Sequence, residues 1–158
     1  MCSFGTDEYI GRIVAEYSNT LLRIAMTRLS SPADAEDAVQ EVFLRLLTAR
    51  PHFRDGEHEK AWLIRATIHR AVDICRSRER QNLPLEEAET LSATDEGSSE
   101  LLSAVQALPE KYSSVIHLYY YEGYSIQEIA KTLGLPSPTV GTRLSRGRER
   151  LKKLLKED

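Results

Sequence analysis

A chain of 158 residues with 41% apolar and 28% charged residues has the make-up of a globular protein, and its length suits one medium domain or two small ones. No apolar run approaches the roughly 20 residues that a membrane span requires, and the N-terminus MCSFGTDEYIG lacks a basic stretch followed by an apolar one; a cytoplasmic location is the expectation. The two cysteines, Cys2 and Cys75, form no CxxC, and His52, His58, His69 and His117 show no ligand spacing beside them. Reduced thiols, no metal and no cofactor are therefore expected. A net charge of −3 would argue against a nucleic-acid partner only if it were evenly spread.

The first predicted helix places Ile10, Val14, Tyr17, Leu21, Ile24 and Ala25 on one face and ends at Ser30-Ser31-Pro32. A second starts there, with Ser31 as cap, Pro32 at the first helical position and Asp34 near the positive helix end. Its packed face is Val39, Val42, Phe43, Leu46 and Leu47. Pro, Gly and charges between Arg50 and Glu59 predict a loop. From about Lys60 to Arg80 a third helix splits into two faces. Ala61, Ile64, Ile68, Ala71 and Cys75 form a packed side, and Trp62, Arg65, His69, Asp73, Arg76 and Arg80 form a working side.

The stretch QNLPLEEAETLSATDEGSSE, from Gln81 to Glu100, has six carboxylates and no cation, and reads as a linker. Its acidity leaves the flanking modules free to be locally basic. Beyond it, Glu100 to Ala107 gives a short helix. Leu108-Pro109-Glu110 restarts another with Val115, Ile116, Leu118 and Tyr119, and Glu122-Gly123-Tyr124 is a turn. No alternating strand pattern appears, so the expected fold is all-α: two small helical domains joined by a flexible acidic linker, the second a helix-turn-helix.

That second domain carries the most specific pattern. Ser125 and Glu128 make a capping box, Gly134 ends the helix, and Ser137-Pro138 starts the next as cap and first residue. Ile126, Ile129, Ala130, Leu133, Leu135, Val140 and Leu144 fall where a helix-turn-helix packs, with Val140, Leu144, Leu151 and Leu155 as the stripe of the second helix. Thr139, Thr142, Arg143, Arg146 and Arg150 are left pointing outward; residues near the start of such a helix enter the major groove, and later cations meet phosphates. On the third helix, Arg65, His69, Arg76, Arg78 and Arg80 around Trp62 form a second nucleic-acid candidate, since bases stack on rings while arginines track the backbone. Trp62 itself reads more readily as a core residue, and Asp73 as a surface partner of His69.

Together the stretches DAEDAVQEVFLRLL at 34–47, AWLIRATIHRAVDICRSRER at 61–80 and the helix-turn-helix segment at 107–151 resemble the extracytoplasmic-function (group IV) sigma factors of bacterial RNA polymerase. The resemblance implies a region 2-like domain at 1–80, a linker at 81–99 and a region 4-like domain at 100–158. It implies docking on the clamp helices of the polymerase largest subunit through Asp37, Gln40, Glu41 and Arg45, with the flap as a further polymerase contact. Trp62, Arg65, His69, Asp73 and Arg76 would read and melt the minus-ten element, and Thr139, Thr142, Arg143, Arg146 and Arg150 would read the minus-thirty-five element. Core polymerase, promoter DNA and an anti-sigma factor are the implied partners, with no small-molecule substrate; the location would be the cytoplasm, at the nucleoid on polymerase or tethered through the anti-sigma factor. His69 stands where the family often has Asn, and Gly141 where many members carry Lys or Arg.

Two other classes remain to be weighed. A free-standing helix-turn-helix regulator usually dimerises on two half-sites, whereas this sequence offers no heptad seam. An enzyme would have to use His69, Asp73 and Cys75, but Cys75 lies six residues beyond His69 on a different helix face, a poor nucleophile-base geometry.

Overall fold

The computed structural model describes residues 7–80 and 96–156, and among them every regular element is helical. The acidic stretch at 81–95, most of the predicted linker, lies outside the described residues, as does Cys2. The first half contains α1 (Asp7–Met26), α2 (Pro32–Ala49) and α3 (Gly56–Arg80), each packed on the other two. The second half contains α4 (Glu96–Ala107), α5 (Glu110–Ile116), α6 (Ile126–Leu133) and α7 (Ser137–Lys156), with α7 packed against α4, α5 and α6.

Helix α1 is rotated relative to the sequence expectation. Ile13 is fully buried and Val14 is 38% exposed, with Tyr9, Tyr17, Leu21, Ile24 and Ala25 completing the inward face. Val14 had seemed inward because it is three residues before Tyr17, but Ile13 lies on the same stripe at a four-residue step, and the packing against α2 and α3 selects it. Helix α2 starts as the sequence dictates: Ser31 is extended and its hydroxyl accepts from the Asp34 amide at 3.3 Å. Arg50 closes it in the left-handed region, φ 47°.

Helix α3 begins at Gly56, earlier than the expected Lys60, because Asp55 caps it, its carboxylate accepting from the His58 amide at 2.8 Å and its carbonyl from the Glu59 amide at 3.1 Å, and the first turn builds Glu59 into the core. Its carboxylate accepts from the Tyr9 hydroxyl at 3.0 Å and from Arg12 at 3.3 Å, so a charge otherwise expensive to bury is satisfied. Helix α4 likewise starts at Glu96 rather than Glu100. After α5 the chain widens into a π-helical turn, His117–Tyr121, in which the Glu122 amide bonds the His117 carbonyl five residues back. Tyr119, expected to pack, is exposed on that turn together with Tyr120 and Tyr121.

The helix-turn-helix forms from local chemistry. Ser125 and Glu128 exchange both capping-box bonds, at 3.1 and 2.8 Å, and Gly134 sits at φ 69°, which a side chain rarely adopts. The cap of α7 is shifted by one residue from the expectation: the Val140 amide bonds the Pro136 carbonyl, so Pro136 is the cap and Ser137 already helical. Leu155 is 41% exposed instead of packed, and Gly147 is buried in the stripe between Leu144 and Leu151. A Cβ at Gly147 would stand 3.1 Å from Ile116 Cγ1 and 3.3 Å from Tyr112 Cβ, so the absence of a side chain sets how closely α7 approaches α5.

The two halves meet. Helix α6 packs on α3, and the buried apolar residues of both halves form one continuous cluster, from Ile13 and Leu63 to Val115, Ile129 and Leu144.

Candidate nucleic-acid interface

Helix α7 presents the predicted readers as a set. Val140, Leu144 and Gly147 face inward, while Thr142, Arg146 and Arg150 are exposed and Thr139 and Arg143 are half-buried. With Lys111, Tyr112 and Pro138, the residues Thr139, Thr142, Arg143 and Arg146 line a shallow depression of about 300 Å³ at the helix start. The Arg150 guanidinium lies over the Tyr112 ring, 5.0 Å from its centre, and Arg148 donates to the Tyr120 hydroxyl at 2.9 Å. Arg150 is thus steered by an aromatic on α5, a relation sequence spacing did not reveal. Gly141 is half-buried with nothing within 4 Å of a built Cβ, so its lack of a side chain leaves open space at this surface.

On α3, Arg65, His69, Asp73 and Arg76 are exposed along one face. Trp62 is half-buried against the core, edge-on to Phe53 with ring centres 6.1 Å apart, so the sequence's core reading describes its main contact. Among the described residues no hydrogen bond or ion pair joins His69 to Asp73. Arg78, grouped with the basic side in the sequence, instead bonds Asp34 at the start of α2, with Nη2 donating to Oδ1 at 2.9 Å. Cys75 is half-buried, and its thiol lies beside Glu79 at 3.9 Å. Burial pushes the thiol pKa up, the Glu79 carboxylate adds to this, and Arg28 opposes it. A thiol kept protonated is a weak nucleophile.

A third surface lies on α2. Asp37, Gln40, Glu41 and Arg45 are all exposed at three- and four-residue steps, and Glu41 is ion-paired with Arg70 of α3. Leu44 belongs to the same face and is 60% exposed. The sequence reading passed it over; its signal was an apolar residue on the helix side opposite Val42 and Leu46.

Basic side chains on the outer face of a helix-turn-helix, joined to a second helical body with its own basic face, define a DNA-binding transcription factor. The comparisons narrow this. The family models described as Sigma-70 region 2 and Sigma-70 region 4 match residues 13–81 and 98–151. The ECF RNA polymerase sigma factor SigW of Bacillus subtilis is 30% identical over 97% of this chain and 92% of its own length. SigE of Mycolicibacterium smegmatis is also 30% identical, over 90% of this chain, which spans 60% of that longer relative. Among solved structures, CnrH in complex with the cytosolic domain of CnrY is 28% identical, with a TM-score of 0.71 over 98% of this chain and 92% of its own. The sigma factor RpoE in complex with the anti-sigma factor NepR from Bartonella quintana shares the fold, with a TM-score of 0.74 over 94% of this chain and 97% of its own at 24% identity. The chain belongs to the extracytoplasmic-function sigma factors of the sigma-70 family. That family is one of transcription initiation factors, and the two-domain helical fold is its fold.

Proposed function

We propose that three faces of this chain divide the work of initiation. Asp37, Gln40, Glu41 and Arg45, with Leu44 among them, dock on the clamp helices of the polymerase largest subunit. Trp62, Arg65, His69, Asp73 and Arg76 receive the minus-ten element, where a few kcal/mol per disrupted base step is offset by stacking and a basic track. Thr139, Thr142, Arg143, Arg146 and Arg150 receive the minus-thirty-five element. The domain at 1–80 carries the first two tasks and the domain at 100–158 the third, which also contacts the polymerase flap. The factor supplies binding energy and catalyses no bond change. It works in the cytoplasm, at the nucleoid when on polymerase, and is held by an anti-sigma factor as RpoE is by NepR, with a membrane tether where that partner supplies one.

The observation that supports this reading is the two-faced α7, with Val140, Leu144 and Gly147 buried and Thr142, Arg146 and Arg150 exposed along the other side. Arg146→Ala is expected to weaken promoter use by about 1–3 kcal/mol and to leave a pull-down with core polymerase unchanged. Transcription from a start-site library reads the first effect. Equal loss of polymerase capture would place Arg146 in the docking surface, and tight footprinting as a dimer without polymerase would favour a free-standing regulator.

A further inference from the structure

Lys111 stands on α5, outside the helix-turn-helix, yet it lines the hollow at the start of α7 together with Thr139, Thr142, Arg143 and Arg146. The packing that brings it there depends on Gly147. With no side chain at that position α7 closes on α5 until Tyr112 Cβ lies only 3.3 Å from where a Cβ would stand, and Tyr112 is left 4% exposed. Two cations then share its ring: Lys111 Nζ lies 5.2 Å from the ring centre and Arg150 Cζ 5.0 Å. The quadrupole of one aromatic thus steadies two like charges that would otherwise keep apart. The hollow has no counter-charge of its own. Its lining carries Lys111, Arg143 and Arg146 and no carboxylate, and among the described residues none of these three cations is hydrogen-bonded or ion-paired to one. Glu110, next to Lys111, is engaged elsewhere, accepting from the Ser114 hydroxyl at 2.8 Å. Uncompensated cations among hydroxyls suit an oxyanion, which accepts from every donor present. Because Lys111 and Arg146 are exposed and the hollow is shallow, the anion that fits is one presented from outside on a large surface, a backbone phosphate of duplex DNA.

We propose that Lys111 is a further DNA-contacting residue of the minus-thirty-five surface, binding a backbone phosphate beside those met by α7, and that Tyr112 is the positioning residue for both Lys111 and Arg150. This rests on the functional reading above, which lays the DNA on α7, and it extends the footprint onto the helix that precedes the helix-turn-helix. A lysine meets phosphate as a point charge, so it needs only to be held within reach, which the Tyr112 ring does. A phosphate contact carries no sequence information, and Lys111 therefore contributes on any duplex.

The experiment titrates the full chain with a fluorescein-labelled duplex of about 20 mixed-sequence base pairs, read by anisotropy between about 50 and 200 mM salt, where each phosphate contact adds about 0.9 to the slope of log affinity against log salt. Lys111→Ala should lower the slope by about one contact and weaken binding at the lowest salt at least about three-fold, while Lys111→Arg should keep both. Tyr112→Leu should lower the slope by about one contact or more, and Tyr112→Phe, which keeps the ring face, should match the parent. In a Lys111→Ala, Arg150→Ala background Tyr112→Leu should change neither slope nor affinity, whereas a residue needed only for packing would weaken every background alike. A parent-like slope for Lys111→Ala would overturn the contact, and because Lys111 is exposed that result stands whatever Tyr112→Leu does to the fold. Equal losses from Tyr112→Leu in both backgrounds would overturn the positioning role. Arg146→Ala in the same titration keeps the two readings apart: if it lowers the slope and Lys111→Ala does not, the Lys111 contact alone fails, and if neither does, the DNA role of α7 fails with it.

Discussion

Arg28 and Gln106 cap each other's helices. The guanidinium of Arg28 covers the final carbonyls of the α4 segment, and the Gln106 amide covers those at the end of α1. Helix ends leave carbonyls without intrahelical partners, so two helices that finish side by side can satisfy each other. Removing either side chain leaves buried carbonyls wanting donors. Arg28→Ala and Gln106→Ala are each expected to lower stability by about 1–3 kcal/mol, and a double-mutant cycle in urea should give non-additivity of at least about 0.5 kcal/mol. Additive losses would mean that the two caps act independently.

Gly141 and Gly147 lie on one helix and should respond to alanine with opposite sign. At Gly141 nothing stands within 4 Å of a new Cβ, so Gly141→Ala should stabilise by up to about 1 kcal/mol through helix propensity. At Gly147 the Cβ meets Ile116 and Tyr112, and Gly147→Ala should destabilise by about 1–3 kcal/mol despite the same propensity gain. Thermal melts of the two variants decide it.

The open space at Gly141 also permits a cation. Gly141→Lys should steepen the salt dependence of duplex binding by about one phosphate contact, read as the slope of log affinity against log salt. An unchanged slope would show that position 141 does not face the backbone of the DNA.

Leu44→Asp should leave the melting temperature nearly unchanged, because a side chain 60% exposed contributes little to the core. Capture of core polymerase in a pull-down should fall several-fold. If capture persists, the α2 face is not the docking surface.

His117 makes the stability of the fold pH-dependent. Burial lowers its pKa from the ordinary value; the hydrogen bond and charge of Glu122 oppose this, and the Arg23 charge adds to the lowering. The unfolded chain then binds more protons than the folded one between the depressed value and about 6.5, so the contribution to stability is present above about 6.5 and is lost as pH falls through the folded pKa. The melting temperature should drop on going from pH 7.5 to 5.5, and His117→Gln should flatten that drop. A variant with the parent's full slope would assign the effect to other groups.

Much of the local structure is legible in the sequence because short-range chemistry fixes it. Ser31 with Pro32, Ser125 with Glu128, and Gly134 each state a helix boundary within four residues of chain, and the structure has each of them in place. The outward set Thr142, Arg146 and Arg150 follows from helical period once Val140 and Leu144 are taken inward. Period alone could not choose between Ile13 and Val14, whose stripes differ by one residue, nor show that Glu59 is buried by Tyr9 and Arg12 some 50 positions away.

By itself, then, the sequence determined an all-helical chain, the helix-turn-helix and the sigma-70 family, since capping, period and motif are encoded between near neighbours. Only the tertiary structure decided that Arg28 meets Gln106, that Arg23 meets Glu122 and that Gly134 lies on Arg65. Those pairs join residues about 70 to 100 positions apart, and nothing in the spacing of one residue to the next records which distant carbonyl or carboxylate a side chain will find when two apolar faces close on each other.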